Sequence, residues 1–128
     1  MHLNHINLVV KEVDKAVDLF TQNLGFNLII NRNSKMAVLE SSNNFALVLW
    51  GQQLNNDENR PKYPENFHIG FYQKDEKTVN EVYQKLINDS GLKIESAPKK
   101  IRDSFGFYFY FENLMIEISV TPFKLEQS

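Results

Sequence analysis

Apolar and polar positions change period along this chain in an order that occurs twice. Residues 3–10, LNHINLVV, alternate so that Ile6, Leu8 and Val10 share one face and His5, Asn7 and Val9 the other, which predicts a strand. From Val13 onward the apolar positions Val13, Ala16, Val17, Phe20 and Leu24 fall at helical spacing, and Gly25 supplies the left-handed conformation that commonly closes a helix. Three short β-rich runs follow at residues 26–31, 35–40 and 45–50, parted by polar turn material at 32–34 and 41–44. The first half thus predicts β-α-β-β-β.

Residues 51–65, GQQLNNDENRPKYPE, are polar, hold two prolines and show no period, as expected of a connector. The pattern then restarts. Residues 67–72 predict a strand, and Asp75 can cap a helix whose apolar stripe is Val79, Val82, Tyr83, Leu86 and Ile87, with Gly91 at its end. Residues 92–96, 105–111 and 114–120 predict three more strands, the last two joined by a tight turn at Glu112-Asn113 of a kind Asn tolerates, and Pro122 ends the fold before a tail at 123–128. A shift of 63 positions lays His5 on His68, Ile6 on Ile69, Leu8 on Phe71 and Lys11 on Lys74. Three further residues bring Gly25 onto Gly91, and three more bring Leu47-Val48-Leu49 onto Ile116-Glu117-Ile118. Because element order and the His-Ile pair both agree, internal duplication is the economical reading.

The predicted fold is α+β, two tandem βαβββ modules forming a curved mixed sheet with a central cup. With 128 residues, 42% of them hydrophobic, the chain suits one domain, with modules at 1–50 and 66–121 and the connector at 51–65. Its 14 basic and 16 acidic residues are spread along the chain and provide no basic stripe, so nucleic acid is not an expected partner. No apolar run approaches the roughly 18 residues of a membrane span, and no leader pattern opens the sequence, so a cytoplasmic protein without a membrane partner is the expectation. The absence of cysteine removes thiolate ligands and leaves His, Asp and Glu for any strong metal site.

Duplication makes the polar residues of the inner faces informative. His5 and His68 lie opposite the apolar sets of their strands, and Glu117 sits between Ile116 and Ile118, where an unpaired carboxylate would cost several kcal/mol. A cation would offset that cost. Two imidazoles and one carboxylate from three strands form a facial set that leaves positions open, and such ligands suit Fe, Mn, Zn or Ni. The plainer alternative is that the histidines are hydrogen-bonded cleft residues and Glu117 pairs with Arg32, Arg60 or Arg102. The same alternation turns Trp50 inward with Ala46 and Val48, and sets Tyr108 and Tyr110 against Phe107, Phe109 and Phe111. Trp50 and a tyrosine, with their polar handles, are candidate pocket walls.

The runs NHINLVV and VDKAVDLFTQNLGF, the pair FHIGF plus an acidic-start helix, and the final MIEISV resemble the vicinal oxygen chelate superfamily over nearly the whole chain. That superfamily includes glyoxalase I, extradiol dioxygenases, fosfomycin-resistance thiol transferases and bleomycin-resistance proteins. The resemblance implies that His5, His68 and Glu117 are the ligands of a divalent metal. It also implies a homodimer. Glyoxalase I uses a fourth ligand, a Glu, where this chain has Val48, which can neither coordinate nor accept a proton, so glyoxalase I chemistry is disfavoured. The family's Asp-Pro-Asp-Gly turn is shortened here to Phe111-Glu112-Asn113-Leu114. Fosfomycin-resistance enzymes carry a Thr where Asn7 stands; Asn7 can donate to an anionic substrate, and Lys99, Lys100 and Arg102 either attract one or form a solvated loop. Extradiol chemistry would need a further acid/base His, and the remaining His2 lies at a frayed end. The expectation is a metal-dependent enzyme acting on a small, metal-chelating, oxygenated substrate, with a pocket including Asn7, Val48, Trp50, Tyr108 and Tyr110. Its rival is a metal-free small-molecule-binding protein of the bleomycin-resistance type.

Overall fold

The computed structural model describes residues 1–54 and 62–122, so the middle of the expected connector and the tail at 123–128 lie outside the described residues. Two compact units divide the chain, Met1–Lys62 and Tyr63–Ser128. The first contains strand β1 (His5–Val10), helix α1 (Val13–Asn23), and strands β2 (Asn27–Arg32), β3 (Met36–Glu40) and β4 (Ala46–Gly51). These pair in the order β1-β4-β3-β2, with β1 parallel to β4 and the other pairs antiparallel. A parallel pair needs a long crossover, which α1 and the β2–β3 hairpin supply.

The buried residues of this unit are those the periods select. Leu8 and Val10 of β1, Ala37 and Leu39 of β3, Leu47 and Leu49 of β4, and Val13, Ala16, Val17 and Phe20 of α1 are all buried, and α1 packs against β3 and β4. Gly25 takes φ 78°, and this left-handed step returns the Phe26 N–H to the Phe20 carbonyl at 3.1 Å and sets the two rings edge to face at 5.5 Å. Asp14, in the first turn of α1, accepts hydrogen bonds from the Ser34 hydroxyl at 2.6 Å and the Asn31 amide at 2.9 Å. These donors, Ser34 first, lower the carboxyl's pKa and tie the β2–β3 turn to the helix. Along β2 the alternation fails: every residue is exposed, and the register slips between Leu28 and Ile30.

The second unit repeats the order with β5 (His68–Gln73), α2 (Glu76–Asp89), β6 (Lys99–Ile101), β7 (Ser104–Phe111) and β8 (Leu114–Val120), paired β5-β8-β7-β6. Asp75 caps α2 by accepting from the Thr78 backbone N–H at 2.8 Å and from its hydroxyl at 2.6 Å. Val79 and Leu86 are buried, and the Tyr83 ring meets Phe107 edge to face at 5.3 Å. Both halves share one register: Ile6 pairs with Leu47 and Ile69 with Ile116, the same offsets by which the two sequences superpose. The α+β class and the two tandem βαβββ units are therefore present as the sequence predicts, each with its own four-stranded mixed sheet.

Two local expectations need correction. Residues 92–96 form no strand; the short β6 pairs Lys99–Ile101 with Ser104–Gly106 across the Arg102-Asp103 turn. Pro98 has no N–H with which to extend that ladder, so the preceding segment leaves the sheet. In the β7–β8 turn the positive φ, 52°, belongs to Glu112 and not to Asn113.

Gly106 lies opposite Ser119 in that sheet, and a Cβ there would stand 2.3 Å from the Ile118 carbonyl oxygen and 2.7 Å from the Ser119 Cβ. Gly106→Ala is expected to cost roughly 1–3 kcal/mol, read as a lower urea midpoint with unchanged slope; a midpoint at the wild-type value would contradict this close approach. At Asp75 the Thr78 hydroxyl and then the Thr78 backbone N–H depress the carboxyl's pKa below 3.8. A depressed folded-state pKa contributes stability above the unfolded value that is lost as pH falls through the folded one. Asp75→Ala should accordingly lower the melting temperature at neutral pH, and the difference from wild type should shrink as pH drops below about 4.

Candidate functional site

Strand alternation in the second unit sends Phe107, Phe109, Phe111, Ile116 and Ile118 to the helix side and leaves the opposite face for another use. On that opposite face the register sets side chains in rows. Tyr110, Met115 and His68 form one row, Tyr108, Glu117 and Gly70 the next, and Gly106, Ser119 and Tyr72 a third. Glu117 is central, and its side chain is only 21% exposed.

His68 and Glu117, diagonal neighbours in adjacent rows, bring Nε2 and Oε2 to 3.6 Å. The Nδ1 of His68 lies 2.9 Å from the Asn66 carbonyl oxygen, on a residue held at φ 68°. A carbonyl only accepts, so Nδ1 carries a proton and donates it, and a neutral ring then presents a lone pair at Nε2. That lone pair faces a carboxylate oxygen. Two acceptors so placed can be bridged by a water molecule that donates to both or by a metal ion. A separation of 3.6 Å exceeds the usual N–H···O length of about 2.7–3.2 Å. An ion bonded to both atoms at roughly 2.0–2.2 Å can bridge it, so His68 and Glu117 fit a metal.

Tyr108 pairs with Glu117 across β7 and β8. Burial first, then the charge of Glu117, raise the Tyr108 pKa, while Arg102 opposes them. Gly70 stands on the other side of Glu117, where a Cβ would lie 3.6 Å from Oε2, so that flank of the carboxylate carries no side chain. Neither Arg32 nor Arg102 is ion-paired with Glu117 among the described residues, and Arg60 lies outside them.

An open trough of about 1140 Å³ runs over this face. Tyr108 and Tyr110, expected as pocket residues, line it with His68 and Glu117. Lys93 and Arg102 bring positive charge to its wall, and Glu95 and Asp103 negative charge. Lys99 and Lys100 do not line it. The residues missed in the sequence fall into two groups. Tyr72, Met115 and Ser119 were accessible by carrying the alternation four positions beyond His68 and two positions either side of Glu117. Lys93 and the Asn66 carbonyl had no such signal, because one lies in a segment that leaves the sheet and the other is a backbone group.

In the first unit the corresponding rows are Val38, Val48 and Asn7, and Glu40, Ala46 and His5. Val48 therefore occupies the register position of Glu117. Asn7, Val48 and Trp50 all lie on the face turned away from the core. The His5 Nδ1 lies 3.0 Å from the Asn4 side-chain oxygen, so this ring too can donate at Nδ1 and keep its Nε2 lone pair. Among the described residues, no three His, Cys, Asp or Glu side chains are gathered into one metal-holding group. No described helix is long and apolar enough to cross a membrane.

With this arrangement established, comparison with known proteins gives one consistent result. The family described as Glyoxalase/Bleomycin resistance protein/Dioxygenase superfamily matches residues 2–118, and the chain belongs to it. No curated protein matches. Among solved structures, a possible glyoxalase from Bacillus cereus is similar at 28% identity and a TM-score of 0.77, over 92% of this chain and 97% of that one. A lactoylglutathione lyase from Agrobacterium tumefaciens shares the fold at 16% identity and a TM-score of 0.72, over 94% of each chain. So does a genomically encoded fosfomycin resistance protein from Listeria monocytogenes, at 18% identity and 0.73, over 94% of this chain and 93% of that one.

The His68 geometry makes a spectroscopic prediction. In metal-free protein, at a pH where the ring is neutral, long-range proton–nitrogen correlation should show the proton of His68 on Nδ1. A ring protonated on Nε2 alone would contradict the assigned donor to Asn66.

Proposed function

We propose that this protein is a metal-dependent enzyme in which His5, His68 and Glu117 hold one divalent ion and a small oxygenated substrate chelates it through the positions left open. The observation that carries this reading is the 3.6 Å approach of the His68 Nε2 to the Glu117 Oε2, with Nδ1 committed to the Asn66 carbonyl. His5 supports it through an equivalent commitment of its own Nδ1. The ion, of Mn, Fe, Zn or Ni type, supplies Lewis-acid stabilisation of negative charge developing on a substrate oxygen.

The residues around the pair define the remaining tasks. Tyr108 and Tyr110 present aromatic walls beside Glu117, and Arg102 and Lys93 can attract negative charge in the substrate. Asn7 and Trp50 are assigned to the same substrate pocket. Val48 provides no carboxylate to move a substrate proton, which argues for a reaction other than that of glyoxalase I. The protein is assigned to a homodimer, in keeping with the family resemblance, and, as the default for a chain without an apolar span, to the cytoplasm.

Metal analysis of protein purified without chelator tests the reading. Wild type should retain close to one divalent ion per chain, and His68→Ala should lose most of it. Absence of metal from both would overturn the proposal in favour of a metal-free small-molecule-binding protein.

A further inference from the structure

We infer that the sheet row beyond Glu117 is a subsite for an oxyanion, carboxylate or phosphate, carried by the same small molecule that chelates the ion, with the Ser119 hydroxyl donating to it and Arg102 supplying the opposite charge. The inference rests on the assignment of Glu117 as a metal-binding group. It narrows the substrate class to a chelating oxygenated molecule with a second, anionic end roughly 7 Å away, the rise of two strand residues from Glu117 to Ser119.

Among the described residues, Ser119 is the one polar residue buried this deeply, at 4% exposure. Its hydroxyl makes no hydrogen bond among them, whereas the Ser104 hydroxyl, further along the same face, donates to the Val120 carbonyl at 2.6 Å. Ser119 nevertheless lines the trough. A buried hydroxyl without a partner is unfavourable, so its partner is one that enters the trough. The first unit shows what this row holds when it has no such task. There it reads Met36, Trp50 and Val9, and here Gly106, Ser119 and Tyr72. A hydrogen atom and a hydroxymethyl group stand where the first unit has a methionine and an indole, which opens room above the hydroxyl.

The rows run on toward the β6–β7 turn, where Arg102 lines the same trough. Its φ of 54° lies in the left-handed region that glycine and asparagine occupy more readily, so a long cation is placed there against the preference of the turn. Among the described residues Arg102 is in no ion pair, although Glu95 and Asp103 also line the trough. A neutral ligand would answer the hydroxyl alone. An oxyanion accepts from the hydroxyl and the guanidinium together.

The test is calorimetric titration of the Mn(II)-loaded full chain with glycerate, malate and 3-phosphoglycerate. These share an α-hydroxycarboxylate chelating end and carry, respectively, no second anion, a carboxylate and a phosphate. Wild type should bind malate or 3-phosphoglycerate roughly tenfold or more tightly than glycerate, and the tighter of the two identifies the anion. Ser119→Ala and Arg102→Asn should each keep one Mn(II) per chain, unfold at or above the wild-type temperature and lose most of that preference. Equal affinity for all three compounds, or the wild-type preference in both variants, would overturn this inference while leaving the metal assignment intact. Failure of wild type to bind Mn(II) would overturn both.

Discussion

The parallel pairing of the first and last strands within each unit decides which residues of this protein can act together. Parallel strands cannot be joined by a tight turn, so each unit commits a helix and a hairpin to the crossover, and the helix then covers one sheet face. The other face is left to residues that alternate out of the core. Because Ile69 pairs with Ile116, Glu117 comes level with Gly70 and one step from His68; a slip of one residue would turn Glu117 into the helix-covered core. Burial of Ile116 and Ile118 resists such a slip, so the apolar side of β8 maintains the chemistry of its polar side.

The use of that face follows from electrostatics at short range. The Asn66 carbonyl commits Nδ1 of His68, and the Glu117 carboxylate faces the remaining nitrogen, so the pair presents two acceptors to whatever lies between them. Burial and the charge of Glu117 across the sheet raise the Tyr108 pKa. The first unit shares the register without this chemistry, since Val48 and Val38 stand where Glu117 and Tyr108 would be. The two sheets thus share one plan; the second carries the carboxylate, and in the first the His5 Nδ1 lies against the Asn4 side-chain oxygen.

Much of this was legible in the sequence wherever burial enforces period. Strand β8 spans Leu114–Val120 as read from its alternation, α1 begins at Val13, and Asp75 caps α2 as expected of its position before an amphipathic stripe. Legibility fails where backbone chemistry overrides pattern. Residues 92–96 alternate like a strand, yet the Arg102-Asp103 turn and Pro98 limit the ladder to Lys99–Ile101. Strand β2 keeps its place with no buried residue at all, so its position comes from pairing with β3 and from the Asp14 bonds and not from an apolar face. The same division holds at the site. Side chains on alternating strands, Glu117, His68, Tyr108 and Tyr110, were found by counting. Lys93 and the Asn66 carbonyl were not, because neither lies on a side-chain period.

We propose that His5, His68 and Glu117 hold one ion. Diffraction from crystals grown with Mn(II), recorded with anomalous signal for that metal, tests it most directly. One anomalous peak per chain is expected within bonding distance, about 2.0–2.2 Å, of the His5 Nε2, the His68 Nε2 and a Glu117 carboxylate oxygen. A peak that excludes His5 or Glu117, or no peak at either, would contradict it.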